Sequence, residues 1–193
     1  PLVQVMGPAG YAKLEVGTPV TVEWHTAGLL ASEPVLLMNV GNAGPVAGGA
    51  LGNWARNDYQ STYYSYTSFT NAVDLSGVVN PAPAAVYQTM NISSGTVGER
   101  MAWDVPVPDG EYVVRLHFAE QYLYMGVGTR RFDIQVNGEL KQANFDILAE
   151  AGAPFKAVVK EYTVTVVDGN LAIDLINRST SGWQAAISGI EIQ

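Results

Sequence analysis

The 193-residue sequence contains no cysteine, which excludes a disulfide framework and any thiolate metal site and leaves the redox compartment unwritten. Charge is sparse as well. Only 15% of residues are Asp, Glu, Lys or Arg, well below the usual quarter, so uncharged polar groups and glycine-rich loops must supply solubility. Positive charge is scarcest: ten Lys and Arg stand against eighteen Asp and Glu, a net charge of -8. The basic residues are dispersed, which argues against the clustered cations that nucleic acid or an anionic membrane surface demands. No apolar run approaches the roughly 20 residues of a membrane-spanning helix, so no membrane span is expected. The sequence opens at Pro1 without a signal-like stretch, so a targeting segment is expected to have been removed or to lie outside it.

Catalytic signatures are missing too. Histidine occurs only at His25 and His117, each inside a predicted strand, and no His-Glu-x-x-His spacing exists. A zinc hydrolase site is therefore not expected, and both histidines read as structural or surface residues. No Gly-x-Ser-x-Gly elbow is present. A glycosidase needs two carboxylates flanking the scissile bond. Glu120 with Asp133 or Asp146 is such a pair by type, but among eighteen acidic residues some pairing is inevitable. A structural calcium with unknown ligands is left open, but no Asp-x-Asp-x-Asp-Gly loop occurs, so neither a cofactor nor a specific metal ligand is expected.

What is present is apolar alternation with period two, the pattern of a strand with one buried face. Leu14 and Val16, then Gly17-Thr18-Pro19, then Val20, Val22 and Trp24 predict a hairpin. Val35 to Val40 predict a buried strand ending in Gly41-Asn42-Ala43-Gly44. Met101 to Val105, a turn over Pro106 to Gly110, and inward-pointing Tyr112, Val114, Leu116 and Phe118 predict a second hairpin. Phe132, Ile134 and Val136 precede Asn137-Gly138, a strong tight-turn signal. Tyr162, Val164 and Val166 precede Asp168-Gly169, which leads into Leu171, Ile173 and Leu175, and Ile187, Ile190 and Ile192 close the chain. With no convincing helical segment, many short strands predict an all-β antiparallel β-sandwich, jelly-roll-like in form.

Pro45 to Pro83 has little periodicity but holds Trp54, Asp58, Tyr59, Tyr63, Tyr64, Tyr66 and Phe69. Irregular stretches of that length are uncommon unless they serve a function. Ten tyrosines, clustered at 59–66 and again at Tyr122 and Tyr124, supply flat rings with polar tips, the chemistry that stacks on a pyranose and meets its hydroxyls. Any single tyrosine has an equally good reading as half-buried packing in a strand.

The run Gly110-Glu-Tyr-Val-Val-Arg-Leu-His-Phe-Ala-Glu120-Gln-Tyr-Leu, followed by Arg131-Phe-Asp-Ile-Gln-Val-Asn-Gly138, resembles the signature of the malectin family of carbohydrate-binding modules. Further matches follow in order: Leu37-Met-Asn-Val-Gly41, Trp54 with Asp58, Val86-Tyr-Gln-Thr89, Asn144-Phe-Asp-Ile147 with Ala151-Gly152, Val167-Asp-Gly169, and Ile187-Ser-Gly-Ile-Glu-Ile192. The resemblance covers residues 35 to 193.

It implies a non-catalytic, secreted or cell-surface lectin fold that binds glucose-containing oligo- or polysaccharide through loops at one end of the sandwich, tethered to other modules. By correspondence, Tyr87 and Tyr122 would be binding tyrosines, with Glu120 beside the latter. A third falls among Tyr64, Tyr66 and Phe69, of which Tyr64 and Tyr66 are carried as candidates. The sequence departs from the family at three places. Leu123 stands where a Phe is usual, Met90-Asn91 where an Arg is common, and Ser181-Gly182-Trp183-Gln184 lacks the family's aspartate. Trp183 would replace that carboxylate by a stacking platform and Gln184 by an amide. The same losses leave open a protein-interaction or adhesion module with a degenerate sugar site. Residues 1–34 lie outside the resemblance, as docked extra strands or the end of a preceding immunoglobulin-like module. The apolar face of Trp24 and the valines favours docking.

Overall fold

The structure, a computed structural model, describes residues 2–5, 24–27, 34–41, 44–62 and 65–193. The hairpin predicted about Gly17-Thr18-Pro19 lies outside the described residues. The chain divides into two units, Pro1–Glu33 and Pro34–Gln193. In the first, β1 (Leu2–Val5) pairs antiparallel with β2 (Trp24–Ala27).

The second unit begins with β3 (Leu36–Asn39), β4 (Ala55–Arg56), β5 (Ser65–Ser68), α1 (Ala84–Tyr87), β6 (Thr89–Ile92) and β7 (Arg100–Pro106). It continues through β8 (Gly110–Ala119), β9 (Phe132–Val136), β10 (Glu139–Phe145), α2 (Ile147–Ala151), β11 (Ala157–Val166), β12 (Asn170–Asn177), β13 (Ala186–Ile187) and β14 (Gly189–Ile192). These strands form a four-stranded sheet in the order β10-β9-β12-β7, a five-stranded sheet in the order β11-β8-β14-β3-β4, and a three-stranded flank, β13-β6-β5. All pairings are antiparallel except β3 with β4, so the expected antiparallel β-sandwich is what the chain forms.

Alternation places one face of each large sheet in a common core. Val114, Leu116, Phe118, Ile190, Ile192 and Met38 come from the five-stranded sheet. Met101, Trp103, Val105, Phe132, Ile134, Ile173 and Leu175 come from the other. At the centre Phe118, Phe132 and Phe145 pack with ring centroids 5.0 to 5.8 Å apart, and truncating one such ring costs about 3–5 kcal/mol.

The turns divide into two kinds. Asn137 and Gly138 both take positive φ (49° and 74°), the requirement of a type I′ hairpin, and they join β9 to β10 within one sheet. The predicted second hairpin is corrected: β7 pairs with β12, and β8 with β11 and β14. Pro106 to Asp109 therefore carry the chain from one sheet to the other. Both strands point their apolar residues at the same core, which two strands in opposite sheets satisfy as well as two paired strands do. Two single-turn helices also form where no helix is predicted. In α2, Asp146 caps the first turn by accepting from the Ala149 N–H at 3.1 Å.

The segment predicted as irregular is a cover over the outer face of the five-stranded sheet. Trp54, Ala82, Val86 and Tyr87 from this segment and α1 bury against Leu37, Ala119 and Ala157, with Val46, Leu51, Val73, Leu75 and Val78 packed around them. Beneath the cover lie three polar side chains that alternation alone would send to solvent. Arg115, His117 and Glu191 are buried. Glu191 Oε2 accepts from Arg115 Nη1 at 2.9 Å and lies 3.0 Å from His117 Nε2, while His117 Nδ1 is 2.8 Å from the Tyr87 hydroxyl. A carboxylate only accepts, so His117 Nε2 carries the proton and Tyr87 donates to Nδ1. Arg115 also donates to the carbonyls of Val79 and Asn80, fastening the cover to the sheet.

Candidate functional site

One end of the sandwich gathers the turns after β8, before β13, before β7 and after β5. The β8–β9 loop is held at three points. At its root Glu120 Oε1 accepts from the Tyr122 N–H at 3.1 Å. At its tip Asp146 Oδ2 accepts from the Gly128 N–H at 2.5 Å. At its end Ser181 donates to the Thr129 carbonyl at 2.9 Å. The loop before β7 closes on the loop before β13 so tightly that a Cβ on Gly95, whose φ is +90°, would sit 2.7 Å from the Gly182 carbonyl oxygen. Only glycine permits that approach.

These restraints assemble a row of rings. Phe69 meets the Tyr122 ring edge-on at 5.3 Å, and Tyr122 meets Trp183 at 5.3 Å between centroids. Behind them lies a buried ion pair in which Arg130 Nε donates to Glu120 Oε2 at 2.8 Å and Arg130 Nη1 to the Gln184 carbonyl at 2.5 Å. The guanidinium carbon stands 5.8 Å from the Tyr122 centroid and 5.5 Å from that of Trp183, within cation–π range. Around the rings the same loop presents apolar side chains to solvent: Leu123 is 57%, Tyr124 96% and Val127 70% exposed.

Four of the expected site residues therefore converge: Glu120, Tyr122, Trp183 and Gln184. Tyr122, Trp183 and Gln184 are half-buried and reach the surface. Glu120 is fully buried, with both carboxylate oxygens engaged by the Tyr122 N–H and Arg130. Tyr87 requires a larger correction. It is 0% exposed and its hydroxyl is committed to His117, so no ligand reaches it in this structure. Burial pushes its pKa up, well above the usual tyrosine value. Tyr66 sits half-buried on β5 with its hydroxyl accepting from Asn57 Nδ2 at 3.4 Å. Tyr64 lies outside the described residues. Of the ambiguous trio, Phe69 is the residue seen against Tyr122. Sequence reading did not single out Arg130 or Val127, which belong to the same loop as Leu123. The adjacent pair Arg130-Arg131, in a chain so poor in cations, was the available signal.

The carboxylates weighed for hydrolysis are otherwise occupied. Asp133 accepts from the Asn144 N–H and pairs with Arg178, Asp146 caps α2, and Glu120 pairs with Arg130. Among the described residues no group of three or more His, Cys, Asp or Glu side chains converges as a metal site, and no helix is long and apolar enough to cross a membrane. An open groove of about 750 Å³ lies at the opposite end of the sandwich, beside the β9–β10 and β11–β12 turns. Its lining includes Glu111, Asn137, Lys141, Thr163 and Asp168 and no aromatic ring, so it lacks a stacking surface.

The profile of the family described as Malectin domain matches residues 46–190. A probable receptor-like protein kinase of Arabidopsis thaliana is 38% identical over 120 residues, 58% of this chain and 14% of that protein. The nodulation receptor kinase of Pisum sativum is 33% identical over 123 residues, 62% of this chain and 12% of that protein. The chain thus spans a small fraction of these relatives' length. Among solved structures, the ANX1 ectodomain from Arabidopsis thaliana superposes with a TM-score of 0.73 at 19% identity, covering 82% of this chain and 47% of that one. A chain in the complex of the plant peptide RALF23 with FER and LLG2 also gives 0.73, at 20% identity and with 82% and 48% covered. At these identities the likeness establishes the fold.

Proposed function

We propose that this chain, which belongs to the malectin domain family, is a non-catalytic extracellular recognition module of a larger cell-surface protein and binds a protein or peptide partner through the loop end of its sandwich. The observation that carries this reading is the surface itself: a loop pinned at root and tip whose Leu123, Tyr124 and Val127 stand exposed while Tyr122 and Trp183 reach the surface behind them. Pinned loops with exposed rings bind with little ordering cost, and exposed apolar clusters with an aromatic anchor are what protein interfaces select. Two comparisons support it. The relatives are named as receptor kinases, and one structural neighbour was solved with a peptide and a further protein.

The test is selection of a displayed random peptide library on the 193-residue chain. Peptides are expected to be enriched on the wild type and to lose about tenfold or more in affinity on Tyr124→Ala or Trp183→Ala, the scale of a truncated aromatic anchor. A library that yields no binder sensitive to either substitution overturns the reading.

A second reading is favoured by one observation, the Tyr122–Trp183 ring pair with Gln184 alongside, which offers a stacking face and an amide to a glucose-containing saccharide. A glucan array followed by calorimetry separates the two. Glucan binding abolished by Trp183→Ala, without peptide binding, establishes the saccharide instead.

A further inference from the structure

Arg130 is 1% exposed and two of its three nitrogens are engaged, by Glu120 and by the Gln184 carbonyl. The third, Nη2, is buried with no partner. Arginine usually meets a carboxylate through a two-pronged fork. Here the second oxygen of Glu120 is taken by the Tyr122 N–H, so the fork is left half made. Leaving a buried charged donor unpaired carries a large desolvation penalty, and such a group in a folded protein calls for an explanation.

Its surroundings supply one. The guanidinium is flanked by Tyr122 and Trp183, both half-buried and reaching the surface, while the main chain around Trp183 is fixed, with the Gly182 carbonyl against Gly95 and the Trp183 carbonyl accepting from Asn177 Nδ2. A shift of the Trp183 ring would uncover Nη2 at the middle of the apolar surface.

We infer that Arg130 is the polar anchor of the loop-end surface, donating through Nη2 to a main-chain carbonyl of an apolar peptide segment laid across Tyr122, Trp183 and Tyr124. This rests on the peptide-binding reading above and names the chemistry that the surface takes. A neutral acceptor is required because Glu120 already balances the Arg130 charge, and the chain's net charge of -8 disfavours a carboxylate. The apolar rim selects a segment whose side chains are uncharged, and a carbonyl is the acceptor that every such segment carries.

The test uses the peptides enriched by the display selection, with the 193-residue chain as wild type, Arg130→Lys and Tyr124→Ala. Lysine retains a cation for Glu120 but has no fork. Enriched peptides are expected to be uncharged and apolar, and to bind Arg130→Lys at least about tenfold more weakly, as for a hydrogen bond to a charged group. In the wild type, the Arg130 side-chain NMR resonances are expected to shift and exchange more slowly with water on peptide addition, a reading that stands if Arg130→Lys does not fold. Peptides that depend on Tyr124 but leave those resonances and the Arg130→Lys affinity unchanged overturn this inference and preserve the peptide-binding reading. Absence of any peptide that depends on Tyr124 or Trp183 overturns both. Enrichment of acidic peptides that depend on Arg130 overturns the neutral-acceptor assignment.

Discussion

Acidification to just below neutral pH should loosen this domain through one residue, His117. Its imidazole is fully buried between Tyr87 and Glu191. Burial holds its pKa below the usual histidine value and the nearby Arg115 adds to this, against the opposing pull of Glu191. The unfolded chain takes up the proton near pH 6.5 while the folded one does not, so the unfolded state binds more protons and stability falls as pH falls. The contribution is complete above about pH 6.5, and below that it erodes by about 1.4 kcal/mol per pH unit until the folded-state pKa is reached. Glu191 acts lower down. Burial opposes its ionisation, but His117 and Arg115 outweigh that and hold its pKa below the carboxylate norm, so its share is lost only beneath about pH 4.5. Asp174, whose carboxyl pKa is raised by burial, acts in the opposite sense as pH falls toward the carboxylate range, so the slope is assigned to His117 by its substitution. Protonation would also reverse its bond to Tyr87, since both ring nitrogens would then donate. The assay is urea unfolding at several pH values from 8 to 5, for wild type, His117→Gln and His25→Gln. The slope is expected in the wild type and in His25→Gln, and to vanish in His117→Gln. A wild-type stability flat from pH 7.5 to 5, or a slope that survives His117→Gln, refutes the reasoning.

Three other outcomes follow from the same geometry. Tyr87→Phe removes the donor to a buried nitrogen and should cost about 1–3 kcal/mol in urea unfolding, with peptide or glucan affinity unchanged because the Tyr87 ring is fully buried and its hydroxyl faces His117. Gly189→Ala would set a methyl 2.8 Å from both the Trp54 ring and Val86, forcing the cover off the sheet and costing about 1–3 kcal/mol by the same measurement. Thermal melts with and without a chelator should coincide, and a drop with chelator would reveal a metal that the described side chains do not account for.

Much of the sandwich was legible because period-two alternation is a direct readout of a half-buried strand. β8 shows where that readout stops. Val114, Leu116 and Phe118 were placed inward correctly, and the same rule assigns Arg115 and His117 to solvent. They are buried because a segment 30 or more residues earlier in sequence lies over them. That segment has no period of its own, since its Trp54, Val73, Leu75 and Val86 fill gaps on a sheet face and are not a layer with a repeating geometry. Tyr87 was misplaced for the same reason: nothing local to it reveals that His117 waits opposite. The turns teach a similar lesson. Asn137-Gly138 dictates a hairpin through its own backbone preferences, whereas Pro106 to Gly110 and Asp168-Gly169 look equally like turns and join different sheets. At the site, Glu120, Tyr122 and Trp183 could be named from type and order, but the buried pairing behind them could not, because Arg130 lies ten residues after Glu120 and alone reads as an ordinary surface charge.

β14 follows all the other described strands in sequence yet lies in the interior of the five-stranded sheet, bonded to β8 on one side and β3 on the other. A nascent chain emerging from the ribosome therefore exposes two unpaired strand edges and an open core until Ile190 and Ile192 have been made. Native assembly of the sandwich must come late, after synthesis of nearly the whole unit, and close in a single step across large sequence separations. Between translation and closure those edges are open to wrong partners, so production of this domain should depend more on the folding conditions around it than its final packing implies.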